Sequence, residues 1–191
     1  MAVLEGFTTS YWRFFKASDP FAFYWYARVA DTQRIIDFLR EIGLQVHERS
    51  LLDTIFLPGI SIERGELVVD RERLVHPGDM LHEAGHIAIT PPSERDSLGG
   101  NLESGAGEEM AAIAWSYAAS VHLGLDSSEV FHEEGYKGDA KNLAENFENG
   151  CGVGMPLLEW YGMTRFQRDD LSGPDFPQMH QWVRETENPP I

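Results

Sequence analysis

His82-Glu83-Ala84-Gly85-His86 places two imidazoles and a carboxylate inside a stretch that is apolar on nearly every side. Met80, Leu81, Ala84, Gly85, Ile87 and Ala88 surround them, so a helix formed here has no solvent face and must be buried. Pro77 suits a first helical position, Asp79 is favoured by the helix dipole in the first turn, and Pro91-Pro92 stops the helix. Buried polar groups need partners. On a helix, residues four apart lie one above the other, which lets both imidazoles reach a single metal ion. Glu83 then projects beside the pair, where a carboxylate can accept a proton from water. This is the pattern of zinc-assisted hydrolysis.

Such a site needs a third protein ligand and one open position. The best source is the start of the next long helix, expected from about Glu108 to Leu123 with Gly124 as its cap. Glu109 carries Ala112, Ile113 and Ser116 on its own face, small enough for close helix contact, and is preferred. Glu108 is the alternative; Glu103, Asp96, His122 and Asp139 are more distant candidates. A donor for the oxyanion is sought among His122, His132 and Tyr136. The last two lie in the Gly-flanked segment Phe131-His132-Glu133-Glu134-Gly135-Tyr136-Lys137-Gly138, which can form a loop over the cleft. His47, His76 and His180 are expected to be structural or solvated.

The HEAGH string, a loop, and a helix opening with Glu109-x-x-Ala112 together resemble the small gluzincin metallopeptidases, including the minigluzincins and the group related to the ImmA/IrrE proteases. The resemblance spans roughly residues 60–124. It implies a zincin-like α+β fold: a small sheet, an active-site helix, and a second helix carrying the third ligand. It also implies a zinc-dependent peptidase acting on a peptide or protein, with the sheet edge at residues 61–70 pairing with extended substrate. The Asp that often follows the third ligand by one turn in that family is absent here; Ala112 or Ile113 stands there. The HEAGH string is similar as well to that of membrane-bound, ATP-dependent zinc proteases, a likeness under which Asp139 is the third ligand. No ATPase module or membrane segment accompanies it.

Around this motif the chain reads as one domain over residues 1–191, with a core at about 31–163. An aromatic-rich segment precedes it (1–30) and an extension follows (164–191). Helices are expected at Asp31–Ile42, Asp139–Glu148, Pro156–Trp160 and Gln178–Arg184. Strands are expected at Leu44–His47 and Ile55–Leu57, and as a hairpin over Ser61–Asp70 turning near Arg64-Gly65. Residues 91–107 read as a loop able to border the cleft. The 191 residues carry a formal net charge of −16, which disfavours nucleic acid and anionic membrane as partners. One cysteine, Cys151, and the lack of an apolar spanning run suit a cytoplasmic protein. A metal-binding zincin without activity, serving as a sensor or interaction module, is the alternative to an enzyme. A DNA-regulatory role has no helix-turn-helix or basic patch behind it.

Overall fold

The computed structural model describes residues 20–52, 57–99, 105–136, 138–165 and 175–187. The described residues form an α+β arrangement of seven helices and one small mixed sheet. Helix α1 (Pro20–Glu41) begins well before the expected Asp31, because only its second half shows the 3.6-residue apolar period legible in the sequence. Ile35, Ile36 and Leu39 are fully buried along that stripe. Phe7, Tyr11, Trp12, Phe14, Phe15 and Ile55 of the expected aromatic segment and strand lie outside the described residues; Leu57 makes only an isolated bridge to Ile60.

Strand β1 (Val46–Glu48) falls slightly later than expected, β2 (Ile60–Glu63) and β3 (Glu66–Val69) where the hairpin is expected. The order is β1-β3-β2, with β1 parallel and β2 antiparallel to the central strand. The apolar run Leu67-Val68-Val69 suits that central position, being buried at all three residues. Arg64 and Gly65 both adopt left-handed backbone (φ 50° and 73°), the two-residue turn whose twist matches a hairpin.

Helix α2 (Asp79–Ile89) carries the HEAGH string, with eight of its eleven residues buried. Its N-cap is Gly78, so Pro77 stands just outside the helix rather than at its first position. Pro92 opens a short helix, α3 (Pro92–Arg95), inside the expected loop. Helix α4 (Ala106–Leu123) ends on Gly124 in left-handed conformation (φ 62°). It makes with α2 the most extensive packing between any two elements. Helices α5 (Ser127–Val130), α6 (Ala140–Glu148) and α7 (Met155–Trp160) complete the chain of elements.

Gln178–Arg184 is not helical, contrary to expectation. Its backbone is engaged by tertiary partners instead: the Trp115 indole donates to the Trp182 carbonyl (2.8 Å), and the Arg184 amide donates to the Ala88 carbonyl (2.8 Å). The guanidinium of Arg184 donates to the Ile89 carbonyl, and that of Arg95 to the carbonyls of Ile87 and Thr90. Two cations thus complement the negative end of the α2 dipole. Residues 175–187 are part of the support of α2 rather than an appendage. Among the described residues, no helix is long and apolar enough to cross a membrane.

Candidate metal centre

Helices α2 and α4 cross where Gly85 faces Ala112. A Cβ on Gly85 would stand 3.0 Å from the Ala112 carbonyl oxygen and 3.3 Å from its Cα. The absent side chain lets the two backbones approach, and the residues one turn either side of the crossing meet. His82 and His86 reach across from α2, and Glu109 reaches back from the first turns of α4.

The His82 and His86 Nε2 atoms lie 3.2 Å apart. Glu109 meets His82 Nε2 with Oε1 at 3.2 Å and His86 Nε2 with Oε2 at 3.3 Å. Three donor groups thus converge within 4.8 Å of one another. These contacts join the two imidazole nitrogens and both carboxylate oxygens, close enough for the three side chains to share one small cation. Two imidazole nitrogens pointed at each other and at one carboxylate suit a shared cation, because only protons or a metal can satisfy all three at once. The donor set of two nitrogens and a carboxylate suits zinc and leaves a fourth position free.

The electrostatics follow from the crowding. Hydrogen bonds from His82 and His86 hold the Glu109 carboxyl well below the usual carboxylate range. Burial works against a charged His82. The Glu109 hydrogen bond and the nearby carboxylates of Glu83 and Asp79 outweigh it, so its pKa is raised. Glu83 is half-buried, and burial lifts its pKa above the ordinary glutamate value despite the two imidazoles. His82 Nδ1 is buried without a hydrogen-bond partner among the described residues. Metal-binding histidines usually donate that second nitrogen to a carboxylate or carbonyl.

Glu108 faces elsewhere: its Oε2 accepts from the Gly105 amide (2.9 Å) and caps the start of α4. Asp139 stands at the N-cap of α6 and accepts from Asn142, while His122 sits at the far end of α4 against Phe38 and Trp182. Asp96 caps α3, and Glu103 lies outside the described residues.

Of the segment 131–138, two side chains come to the site's flank. The Tyr136 ring stands edge-on to His82 with centroids 6.2 Å apart. Burial, then the charges of Asp79, Glu109 and Glu83, push its hydroxyl pKa upward, so it stays a donor. His132 is committed differently: its Nε2 lies 2.8 Å from Asp79 Oδ1, and its ring stacks on His76 at 3.7 Å. Its Nδ1 is buried without a partner among the described residues. His76 in turn meets Glu134 (3.0 Å), and His47 meets Glu66 (2.9 Å) at the surface. The Asp79–His132 pair escaped sequence reasoning, because Asp79 reads fully as a first-turn acid and its partner is 53 residues away. Comparison with known protein families, with curated proteins and with solved structures returns no match for this chain.

Proposed function

We propose that this chain is a zinc-dependent hydrolase acting on peptide bonds, with His82, His86 and Glu109 holding the ion. One observation carries the reading: His82, His86 and Glu109 converge from two crossing helices with their donor atoms within 4.8 Å of one another, directly beside the glutamate that the HEAGH spacing supplies. When bound, zinc supplies acidification of a water molecule and polarisation of the scissile carbonyl. Glu83 takes the proton from the attacking water and delivers it to the departing amine. Its raised pKa brings it closer to the working pH of such a proton shuttle. Tyr136, kept protonated by burial and by the carboxylates around it, donates to the developing oxyanion. His132 Nε2 is taken up by Asp79, so its part is to fix the segment bearing Tyr136. The outer edge of β2, which Gly99 already bridges at Glu63, receives an extended peptide by strand addition toward its Ile60 end. Cys151, an exposed free thiol, suits a reducing cytoplasmic setting.

The lone Nδ1 of His82 favours a second reading, in which the ion is held loosely and the protein is a metal-responsive interaction module. The substitution Glu83→Gln separates the two. For an enzyme, peptide-library cleavage falls at least about a hundredfold while zinc stoichiometry is retained. A wild-type protein that binds one zinc and cleaves nothing supports the module. A protein that takes up no zinc at all ends both.

A further inference from the structure

A second site lies at the opposite end of α4 from Glu109. His122 is thirteen residues along the same helix, about 20 Å away at 1.5 Å per residue. There the end of α1, the end of α4 and the segment 181–185 border an open cavity of about 420 Å³. Phe38, Trp182 and His122 line it together with Ile42, Val183 and polar side chains. Phe38 and Trp182 meet edge-to-face at 5.0 Å, and the His122 ring lies 5.3 Å from the first and 5.2 Å from the second. The rings are well anchored: Phe38 is 4% exposed, and Trp182 packs at 5.6 Å against the fully buried Trp115, whose indole N–H holds the Trp182 carbonyl.

Glu41 and Glu185 line it beside His122, and among the described residues no lysine or arginine does, so its fixed charges have one sign. Among the described residues neither carboxylate is in an ion pair with a cation, whereas Glu48, Glu63 and Asp31 nearby along the chain are. The C-terminal end of α1, which closes at Glu41, adds its partial negative charge. The half-buried Trp182 ring, backed by Phe38 and flanked by unpaired carboxylates, attracts a cation that also carries an apolar body, through cation–π and Coulomb attraction together. An anion is repelled, and a small hydrated metal ion finds no converging set of ligands. The volume lies within the usual range for small-ligand sites.

We infer that the Phe38–Trp182 cavity is a binding site for an organic cation, an alkylated ammonium or a guanidinium, and that it works independently of the metal centre. The same chemistry is offered by a free amine and by the side chain of a basic peptide. Titration of the full chain with choline, followed by the indole N–H resonance of Trp182 in nitrogen-edited NMR, tests it. That resonance is assigned by its loss in Trp182→Phe. Choline is expected to shift the resonance saturably. Its neutral isostere, 3,3-dimethyl-1-butanol, is expected to bind at least tenfold more weakly. The double substitution Glu41→Gln/Glu185→Gln, which touches only exposed carboxylates, is expected to weaken choline at least tenfold while zinc uptake is unchanged. A capped Gly-Arg-Gly peptide separates the sources: tighter binding than choline assigns the site to a peptide side chain, weaker binding to a free ammonium compound. Equal binding of choline and its isostere, or indifference to the double substitution, overturns the inference. His82→Ala/His86→Ala must leave the choline response intact; its loss in that variant also overturns the claimed independence.

Discussion

Gly85→Ala puts the spacing of the metal centre to a quantitative test. In a helix interior alanine is favoured over glycine by about 0.5–1 kcal/mol, so the substitution alone stabilises α2. The structure opposes it: the new Cβ meets the Ala112 carbonyl oxygen at 3.0 Å and its Cα at 3.3 Å, backbone atoms that cannot rotate aside. Relief requires α2 and α4 to part by about 0.3–0.5 Å, and overpacking of this kind costs about 1–3 kcal/mol. Glu109 is less than one turn from Ala112 and moves with it. Its contacts of 3.2 and 3.3 Å to the histidines then lengthen. A zinc site tolerates ligand displacements of only about 0.2 Å, so a parting of this size is felt. The expected outcome is metal-free stability lower by about 1 kcal/mol in urea unfolding and zinc affinity lower by about tenfold or more in competition with a chromophoric chelator. If zinc affinity stays within about twofold and stability rises by about 1 kcal/mol, only the helix propensity was felt. The claim that this crossing sets the ligand spacing is then wrong.

Glu109→Gln should abolish tight zinc binding. Glu108→Gln should leave affinity unchanged and cost only about 0.5–1 kcal/mol of thermal stability through the weakened cap; equal effects on affinity would contradict the assignment of roles. Tyr136→Phe is expected to lower kcat about a hundredfold with KM nearly unchanged, as for loss of a single oxyanion donor. A change confined to KM would place the tyrosine in substrate binding instead. The His82–Glu109 pair also makes stability pH-dependent with opposite signs in the two metal states. In metal-free protein the raised His82 pKa gives a contribution complete below about 6.5 and lost as pH rises through the folded value. The depressed Glu109 pKa gives one present above about 4.5 and lost as pH falls through its folded value. Stability from this pair is therefore greatest between those limits. Zinc must displace the His82 proton, so its affinity rises with pH above that window. Thermal unfolding across pH 4–8, with and without chelator, checks both slopes; parallel curves would exclude a shared site.

The second helix shows how far the sequence carries. That α4 would supply a carboxylate followed from the need for a third donor and from the small residues behind Glu109. Choosing Glu109 over Glu108 required three-dimensional facts: one side chain turns back to its own helix start, the other toward α2. The helix end marked by Gly124 was legible because left-handed backbone there is a local preference of glycine. The tail was misread as helical because its local pattern gave no sign that Trp115 and Ala88 would claim its backbone groups. The same holds for His132, whose partner Asp79 had a sufficient local explanation of its own.

The sequence by itself determined the buried helix with two imidazoles one turn apart, the hairpin turning at Arg64-Gly65, and the C-terminal end of α4. All of these are set by spacing and backbone preference within a few residues. Only the tertiary structure decided which carboxylate closes the triangle, which aromatic side chain stands beside it, and what the C-terminal segment holds in place. Those outcomes depend on how closely two helices approach, and that distance is fixed by the missing side chain of Gly85 against the backbone of Ala112.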